Sequence, residues 1–157
     1  MGIIGLGYVG LPLAIAIGEA GFKVVGLEKD GIKRGRLTRG EDVYEGASVE
    51  IARRLIADNI LEVTGDCYKL ADCDVICICV PTPLSKNRDP DLSLVGTATL
   101  QVKDALCVGS KPKLVIVEST SYPGTTREVV APVMEECGME LGRDFFLAYS
   151  QIGRAHV

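Results

Sequence analysis

Tryptophan is absent from the 157-residue chain, histidine occurs once, and aromatic residues make up only 5% of the sequence. A core of this composition has to rely on valine, isoleucine, leucine and alanine. No apolar run reaches the roughly 18 residues that a transmembrane helix needs, so we expect no membrane-spanning segment. The formal net charge of −4 argues against a broad basic face for nucleic acid. An apolar content of 47% with 24% charged residues is typical of a globular domain.

The cysteines show no CxxC spacing of the kind that indicates a zinc site. The only histidine, His156, lies next to the C-terminal residue, so we expect no metal centre. The opening residues lack the basic leader of a signal peptide. We therefore expect a cytoplasmic protein whose thiols stay reduced and mostly buried. The six cysteines are Cys67, Cys73, Cys77, Cys79, Cys107 and Cys137.

Short apolar runs alternate with segments of helical periodicity along the chain. The apolar runs lie at 3–6, 22–27, 61–64, 74–80, 114–117 and 145–148. The helical segments lie at 9–20, 29–38, 48–58, 95–106 and 126–137, with Ser48 as the predicted N-cap of the third. Such alternation predicts an α/β fold in which crossover helices connect parallel strands. We expect a Rossmann-type, doubly wound, mostly parallel sheet of about six strands with helices on both faces.

A glycine-rich turn, Gly5-Leu6-Gly7-Tyr8-Val9-Gly10, joins the first predicted strand to the first predicted helix. Its spacing is the G-x-G-x-x-G of dinucleotide-binding folds. There the first glycine permits a tight turn, the second lets backbone approach a diphosphate, and the third lets the helix pack closely on the sheet. The helix start, with Tyr8 and Val9, then offers amide groups and a partial positive charge to the phosphates. The turn therefore predicts a dinucleotide site.

An acidic residue, Glu28, ends the second predicted strand, 23 positions after the first glycine of the motif. Dinucleotide-binding folds carry an acid about 20 residues on, where it binds the adenosine ribose hydroxyls. A carboxylate there repels a 2′-phosphate, which favours NAD over NADP. The basic neighbours Lys29, Lys33, Arg34 and Arg36 leave NADP open, because an arginine here can accommodate that phosphate.

Four separated segments together resemble one family, the nucleotide-sugar 6-dehydrogenases of the UDP-glucose/GDP-mannose dehydrogenase type. They are GLGYVGLPLA at 5–14, Glu28 with Lys33, CVPTP at 79–83 and ESTSYPGTT at 118–126. The segment PTPLSKNRDPDLS at 81–93 is most similar to the branch that oxidises UDP-N-acetylglucosamine or a related N-acetylhexosamine. The resemblance implies that residues 1–150 are the N-terminal NAD-binding domain.

The resemblance also implies roles for individual residues. Thr82 takes the place of a threonine beside the nicotinamide half of NAD, and Thr120 that of a catalytic-site threonine that holds a water and the reacting groups there. From the residues alone, both threonines would more often be structural, but both follow strands at the ligand-binding edge of an α/β sheet. The complete set of expected NAD-binding residues is Gly5, Gly7, Tyr8, Val9, Gly10, Glu28, Lys33, Val80, Pro81, Thr82 and Thr120.

In this family a sugar C6 alcohol loses two hydrides to two NAD and becomes a carboxylate. A cysteine thiolate traps the aldehyde as a thiohemiacetal and then carries a thioester that water cleaves. The resemblance places that cysteine, with a lysine and an asparagine, in a later part of the family's chain. None of the six cysteines here is expected to be the nucleophile. A UDP-sugar is expected to bind mainly through that later part, in a homo-oligomer serving polysaccharide biosynthesis.

The final residues, 151–157 (QIGRAHV), depart from the Pro-Glu-Arg or similar run with which the family continues. We expect this tail to be a sequencing or truncation artefact on a fragment of a longer enzyme. Two other functions stay open at this point. One is another NAD-dependent dehydrogenase, of the hydroxyacid or hydroxyacyl-CoA type, against which the PTP and STSYPGTT segments argue. The other is a stand-alone nucleotide-sensing module.

Overall fold

A computed structural model of the chain describes residues 1–41, 49–83 and 90–150. They form a sheet of six strands, all parallel, in the order β3-β2-β1-β4-β5-β6. The strands are β1 Gly2–Ile4, β2 Val24–Leu27, β3 Leu61–Thr64, β4 Val75–Ile78, β5 Lys113–Val117 and β6 Phe145–Tyr149. The helices are α1 Gly10–Glu19, α2 Gly31–Arg39, α3 Val49–Ala57, α4 Ser93–Val108 and α5 Ala131–Glu135. The predicted doubly wound α/β fold is confirmed.

The strand order reverses direction at the centre of the sheet. Ile3 of β1 pairs with Gly26 of β2 on one side and with Cys77 of β4 on the other. From β1 the chain winds outward through β2 to β3, and it then returns to start the other half at β4. Two loops therefore diverge at the carboxyl end of β1, and in open α/β sheets the crevice between them is where ligands bind.

Helices cover both faces of the sheet, as the apolar patterns predict. One face packs against α1, α2 and α3 through a core that includes Leu11, Leu37 and Leu55. The other packs against α4 and α5 through a core that includes Val102 and Met134. Strands buried on both sides must be apolar throughout, which explains the unbroken apolar run along β4. None of the helices described is both long and apolar enough to cross a membrane.

The structure differs from the sequence patterns in a few places. The second strand begins at Val24 rather than at residue 22, because the amide of Phe22 still donates to the carbonyl of Ile17 in α1; Phe22 itself is 65% exposed. A 3₁₀ helix at Cys67–Asp72, capped where Asp66 accepts the amide of Tyr68, was not predicted. A π-helical turn, Thr126–Val130, leads directly into α5. Ser48, residues 84–89 of the PTPLSKNRDPDLS segment and the tail at 151–157 lie outside the described residues.

Candidate functional site

The glycine-rich turn leaves β1 and enters α1 in a conformation that depends on two of its glycines. Gly5 has φ +88°, a region that other residues rarely adopt. A Cβ atom on Gly10 would stand 1.9 Å from the carbonyl oxygen of Gly5 and 3.2 Å from Cβ of Cys79. Gly10 therefore allows α1 to pack onto the start of its own loop. Its place is beneath the turn, and it is not among the residues that line the cavity described below.

Gly7, the second glycine of the turn, faces open space. A Cβ atom on Gly7 would have no heavy atom within 4 Å, so packing inside the protein does not explain a glycine there. Val9, at the N-cap of α1, makes no side-chain capping hydrogen bond, and the amide of Leu11 reaches back to the Gly7 carbonyl at 3.1 Å. The positive end of the helix dipole is therefore left to a ligand, and an anion is the ligand that it favours.

Glu28 is only 8% exposed, and its carboxylate lies beside this turn at the end of β2. Its Oε2 accepts hydrogen bonds from the backbone amide of Leu6 at 3.2 Å and from Nζ of Lys33 at 2.6 Å. Its Oε1 accepts one from the amide of Asp30 at 3.1 Å. Asp30 also caps α2 by accepting the Lys33 amide, which starts the helix so that Lys33 returns to Glu28. The ion pair and both amides hold the carboxylate against the glycine turn.

The arginines that left NADP open contact protein oxygens. Arg34 donates through one guanidinium nitrogen to the carbonyl of Glu28 at 2.7 Å and to that of Lys29 at 2.9 Å. Arg36 lies 3.7 Å from the carboxylate of Glu41, at the far end of α2. Neither arginine lines the cavity, whereas Lys29 does. An arginine clamp for a 2′-phosphate is therefore not formed by these two side chains.

A cavity of about 550 Å³ opens over the carboxyl ends of β1, β2, β4 and β5. This volume is within the range of small-molecule sites, and the position is the one expected for this topology. Every predicted binding residue except Gly10 lines it. These residues are Gly5, Gly7, Tyr8, Val9, Glu28, Lys33, Val80, Pro81, Thr82 and Thr120. Four segments that are far apart in sequence thus meet around one space.

Other lining residues come from positions that the motifs did not indicate. Leu94, Thr97, Ala98 and Gln101 present one face of α4 to the cavity. Their spacing of i, i+3, i+4 and i+7 is that of a helix face, so periodicity carried a signal. The stronger apolar pattern on the neighbouring face of α4, which packs in the core, obscured this signal.

The ends of β4 and β5 are tied together by a serine hydroxyl. Ser119 is 4% exposed, and its Oγ donates to the carbonyls of Val80 at 2.7 Å and Ile78 at 3.3 Å. This contact holds the segment that carries Thr82 beside the one that carries Thr120. Thr120 is exposed and Thr82 is half-buried, so both are within reach of a ligand in the cavity.

Comparison with known proteins identifies this arrangement. Residues 1–150 match the UDP-glucose/GDP-mannose dehydrogenase family, NAD binding domain. The chain belongs to this family. Membership decides against the hydroxyacid and hydroxyacyl-CoA dehydrogenases as alternatives, and it makes NAD the cofactor of the domain.

Relatives of the UDP-glucose/GDP-mannose dehydrogenase family are similar along nearly the whole chain. Protein CapL of Staphylococcus aureus is 35% identical over 94% of this chain and 33% of its own length. UDP-N-acetyl-D-glucosamine 6-dehydrogenase of Pseudomonas aeruginosa is 36% identical over 94% of this chain and 34% of its own. A ternary complex of GDP-mannose dehydrogenase from P. aeruginosa superposes with TM-score 0.90 at 33% identity, over 96% of this chain and 35% of that one. The chain thus spans about a third of these relatives.

The cavity of this family member fits a dinucleotide on observations of its own. The open face of Gly7 admits a ligand up to the backbone, where an added Cβ would occupy the space. The uncapped start of α1 suits a diphosphate, and the buried carboxylate at the end of β2 suits hydroxyl donors. A dinucleotide carries both kinds of group, because its diphosphate links two ribosides whose hydroxyl groups can donate hydrogen bonds.

Two cysteines lie near the cavity: Cys77 in β4, and Cys79 just after that strand. Burial raises the pKa of Cys77 to about 11, with the Glu118 carboxylate adding to the effect. Burial also raises the pKa of Cys79 to about 12, helped by Cys77 and then by Glu118. Cys79 lines the cavity, yet near neutral pH it stays a thiol, which is a poor nucleophile. This agrees with the expectation that the family's reactive cysteine lies elsewhere.

Alkylation is therefore expected to spare Cys77 and Cys79 in the native protein. Treatment with iodoacetamide at pH 8, followed by peptide mass spectrometry, should label the exposed Cys107 and Cys137 first. Cys77 and Cys79 should react as fast as the exposed cysteines only after unfolding in urea. In the native protein, burial restricts access of the reagent and the raised pKa keeps both thiols protonated. Native labelling of Cys79 as fast as that of Cys137 would contradict this picture.

Proposed function

We propose that the cavity holds NAD across the carboxyl edge of the sheet, with the adenosine at Glu28 and the nicotinamide at Thr82 and Thr120. The observation that carries this proposal is that ten residues predicted from four separate segments line one cavity. The glycine turn lies between the two ends, so the diphosphate would rest against Gly7 and the start of α1. The adenosine ribose hydroxyls would donate to the Glu28 carboxylate, which Lys33 holds in place.

Bound NAD would supply the hydride acceptor, and the chain would supply its position. Val80 and Pro81 would support the nicotinamide half from the end of β4. Ser119, through its two bonds to β4 carbonyls, keeps Thr82 and Thr120 adjacent. Thr120 lines the cavity, and we assign to it the role of holding a water and the reacting groups. Fixing these groups before reaction lowers the entropy cost of bringing them together.

We further propose that the whole protein is a nucleotide-sugar 6-dehydrogenase that oxidises the C6 hydroxyl of a UDP-sugar to a carboxylate with two NAD. Relatives named as UDP-N-acetyl-D-glucosamine and UDP-N-acetyl-D-mannosamine dehydrogenases support a UDP-N-acetylhexosamine as the substrate. The six free thiols support a reducing, cytoplasmic location. The proposed sugar site and homo-oligomer involve parts of the enzyme beyond this domain, and polysaccharide biosynthesis is the process that we propose for the product.

Isothermal titration of the 157-residue chain tests the cofactor assignment. We expect NADH to bind and NADPH to bind at least about 30-fold more weakly, because a 2′-phosphate would face a buried carboxylate across the ribose. UDP-N-acetylglucosamine should not bind. In a Glu28→Gln variant the difference in affinity between NADH and NADPH should become smaller, because the charge that repels the 2′-phosphate is gone. Equal affinity of the unaltered chain for NADH and NADPH would refute the role of Glu28.

A further inference from the structure

Glu118 follows β5 directly, and none of the proposed roles uses it. Its backbone amide donates to the carbonyl of Ile78 at 2.9 Å, so the neighbouring strand fixes the position of its Cα. The side chain lines the cavity. Its Oε2 is buried from solvent, and within the described part of the chain this oxygen has no hydrogen-bond partner. A carboxylate oxygen in that state requires an explanation, since buried polar groups are nearly always paired.

The described residues around Glu118 do not supply the missing donor. The adjacent hydroxyl of Ser119 already donates to the carbonyls of Val80 and Ile78. The thiols of Cys77 in β4 and Cys79 just after it are also near the carboxylate: burial is the main cause of their raised pKa values, and the charge of Glu118 adds to it. The other buried unpaired side-chain atom in the described residues, Oγ of Ser121, is not at the cavity. Among the described residues, Glu118 therefore brings to the cavity a buried carboxylate oxygen, Oε2, that has no hydrogen-bond partner.

The position of Glu118 in the sheet assigns it to one half of the ligand. Glu28 follows β2 and Glu118 follows β5, and β1 and β4 lie between these strands. Neighbouring strands lie about 4.8 Å apart, so three spacings place the ends of β2 and β5 roughly 14 Å apart. A ribose at Glu28 cannot also reach Glu118. An extended dinucleotide bound at Glu28 would bring its other riboside to that side of the cavity, where Thr120 also lies.

We propose that Glu118 is a positioning and selectivity residue for the nicotinamide half of the cofactor, whose hydroxyl or carboxamide N–H donates to Oε2. The inference rests on the proposed binding of NAD in this cavity. Because the oxidised nicotinamide ring is a cation and the reduced ring is neutral, the carboxylate also favours the oxidised form. Glu118 thus discriminates between the two redox states, whereas Glu28 discriminates between NAD and NADP.

Glu118→Gln separates the charge of this side chain from its shape. Titration calorimetry with NAD⁺, NADH, ADP-ribose and ADP should show that affinity for NAD⁺ falls about tenfold and affinity for NADH falls threefold or less. ADP, which carries neither the second ribose nor nicotinamide, should bind unchanged. A loss that persists with ADP-ribose identifies a ribose hydroxyl as the donor, and a loss confined to NAD⁺ and NADH identifies the carboxamide and the ring.

Two controls make the result decisive. Glu135→Gln removes one negative charge from the exposed surface of α5 and should leave all four affinities unchanged. The unfolding temperature of Glu118→Gln without ligand should equal or exceed that of the unaltered chain, since a neutral amide replaces a carboxylate that has one buried oxygen without a partner. A lower unfolding temperature, equal weakening of all ligands including ADP, or no change with NAD⁺ would overturn the proposal. Failure of the unaltered chain to bind any of the four would refute NAD binding itself.

Discussion

Replacement of Gly7 by valine is expected to abolish measurable NADH binding while the fold stays intact. A Cβ on Gly7 meets no heavy atom of the described protein within 4 Å, so the isopropyl group projects into the cavity rather than into the core. The space that it fills is where the diphosphate would approach the backbone at the start of α1. Direct contacts and the helix-dipole attraction would then be lost together, and we expect affinity to fall by at least about 100-fold, or about 2.7 kcal/mol.

The measurement is calorimetric titration with NADH, accompanied by thermal unfolding of the unliganded chain. Gly96→Val is the matched control, because Gly96 also has no heavy atom within 4 Å of an added Cβ but lies on α4 away from the cavity lining. Both variants should unfold at temperatures close to that of the unaltered chain, and only Gly7→Val should lose NADH binding. Retained affinity in Gly7→Val would show that the dinucleotide does not dock on this turn.

Gly10→Ala, three residues further along the same turn, is expected to destabilise the fold. Its added Cβ would stand 1.9 Å from the backbone oxygen of Gly5, a contact that no change of side-chain rotamer can relieve. Either α1 must move away from the sheet or the turn that contains Gly5 must rearrange. Overpacking of a close-packed interior costs about 1–3 kcal/mol, and a backbone clash of this kind places the cost near about 3 kcal/mol or above.

Urea denaturation followed by circular dichroism measures this loss. Gly7→Ala provides the control within the same turn, since its methyl group enters open space and should change the free energy of unfolding by no more than about 0.5 kcal/mol. Similar stabilities for Gly10→Ala and Gly7→Ala would contradict the close approach of α1 to Gly5. The division of roles between Gly7, for ligand access, and Gly10, for helix packing, would then be wrong.

Local patterns were enough to predict much of the fold. The buried run of β4, the helical stripe of α4 and the left-handed glycine that ends α2, Gly40 at φ +71°, follow from periodicity and backbone preference. Patterns failed where tertiary exposure decided the outcome. Phe22 has high strand propensity yet lies exposed before β2. The 3₁₀ helix at Cys67–Asp72 is too short to show a hydrophobic period.

Much of the candidate site was also accessible from the sequence. The G-x-G-x-x-G spacing and the acid at the end of the next strand depend on residues within one strand–helix–strand unit. Thr82 and Thr120 required the family resemblance, since either alone reads as a structural residue. The contribution of α4 was missed, because Thr97 and Gln101 are unremarkable until the helix is placed against the cavity.

The sequence by itself determined the chemistry at each strand end, because the backbone freedom of glycine, the charge of Glu28 and the period of the apolar residues are local properties. Only the tertiary structure decided which of these ends meet. The placement of β1 between β2 and β4 brings Glu28, Thr82 and Thr120 to one cavity, and the placement of β5 beyond β4 puts the unpartnered Oε2 of Glu118 at the far side of that cavity. Such neighbours depend on how the chain crosses over the sheet, which no local spacing of residues specifies.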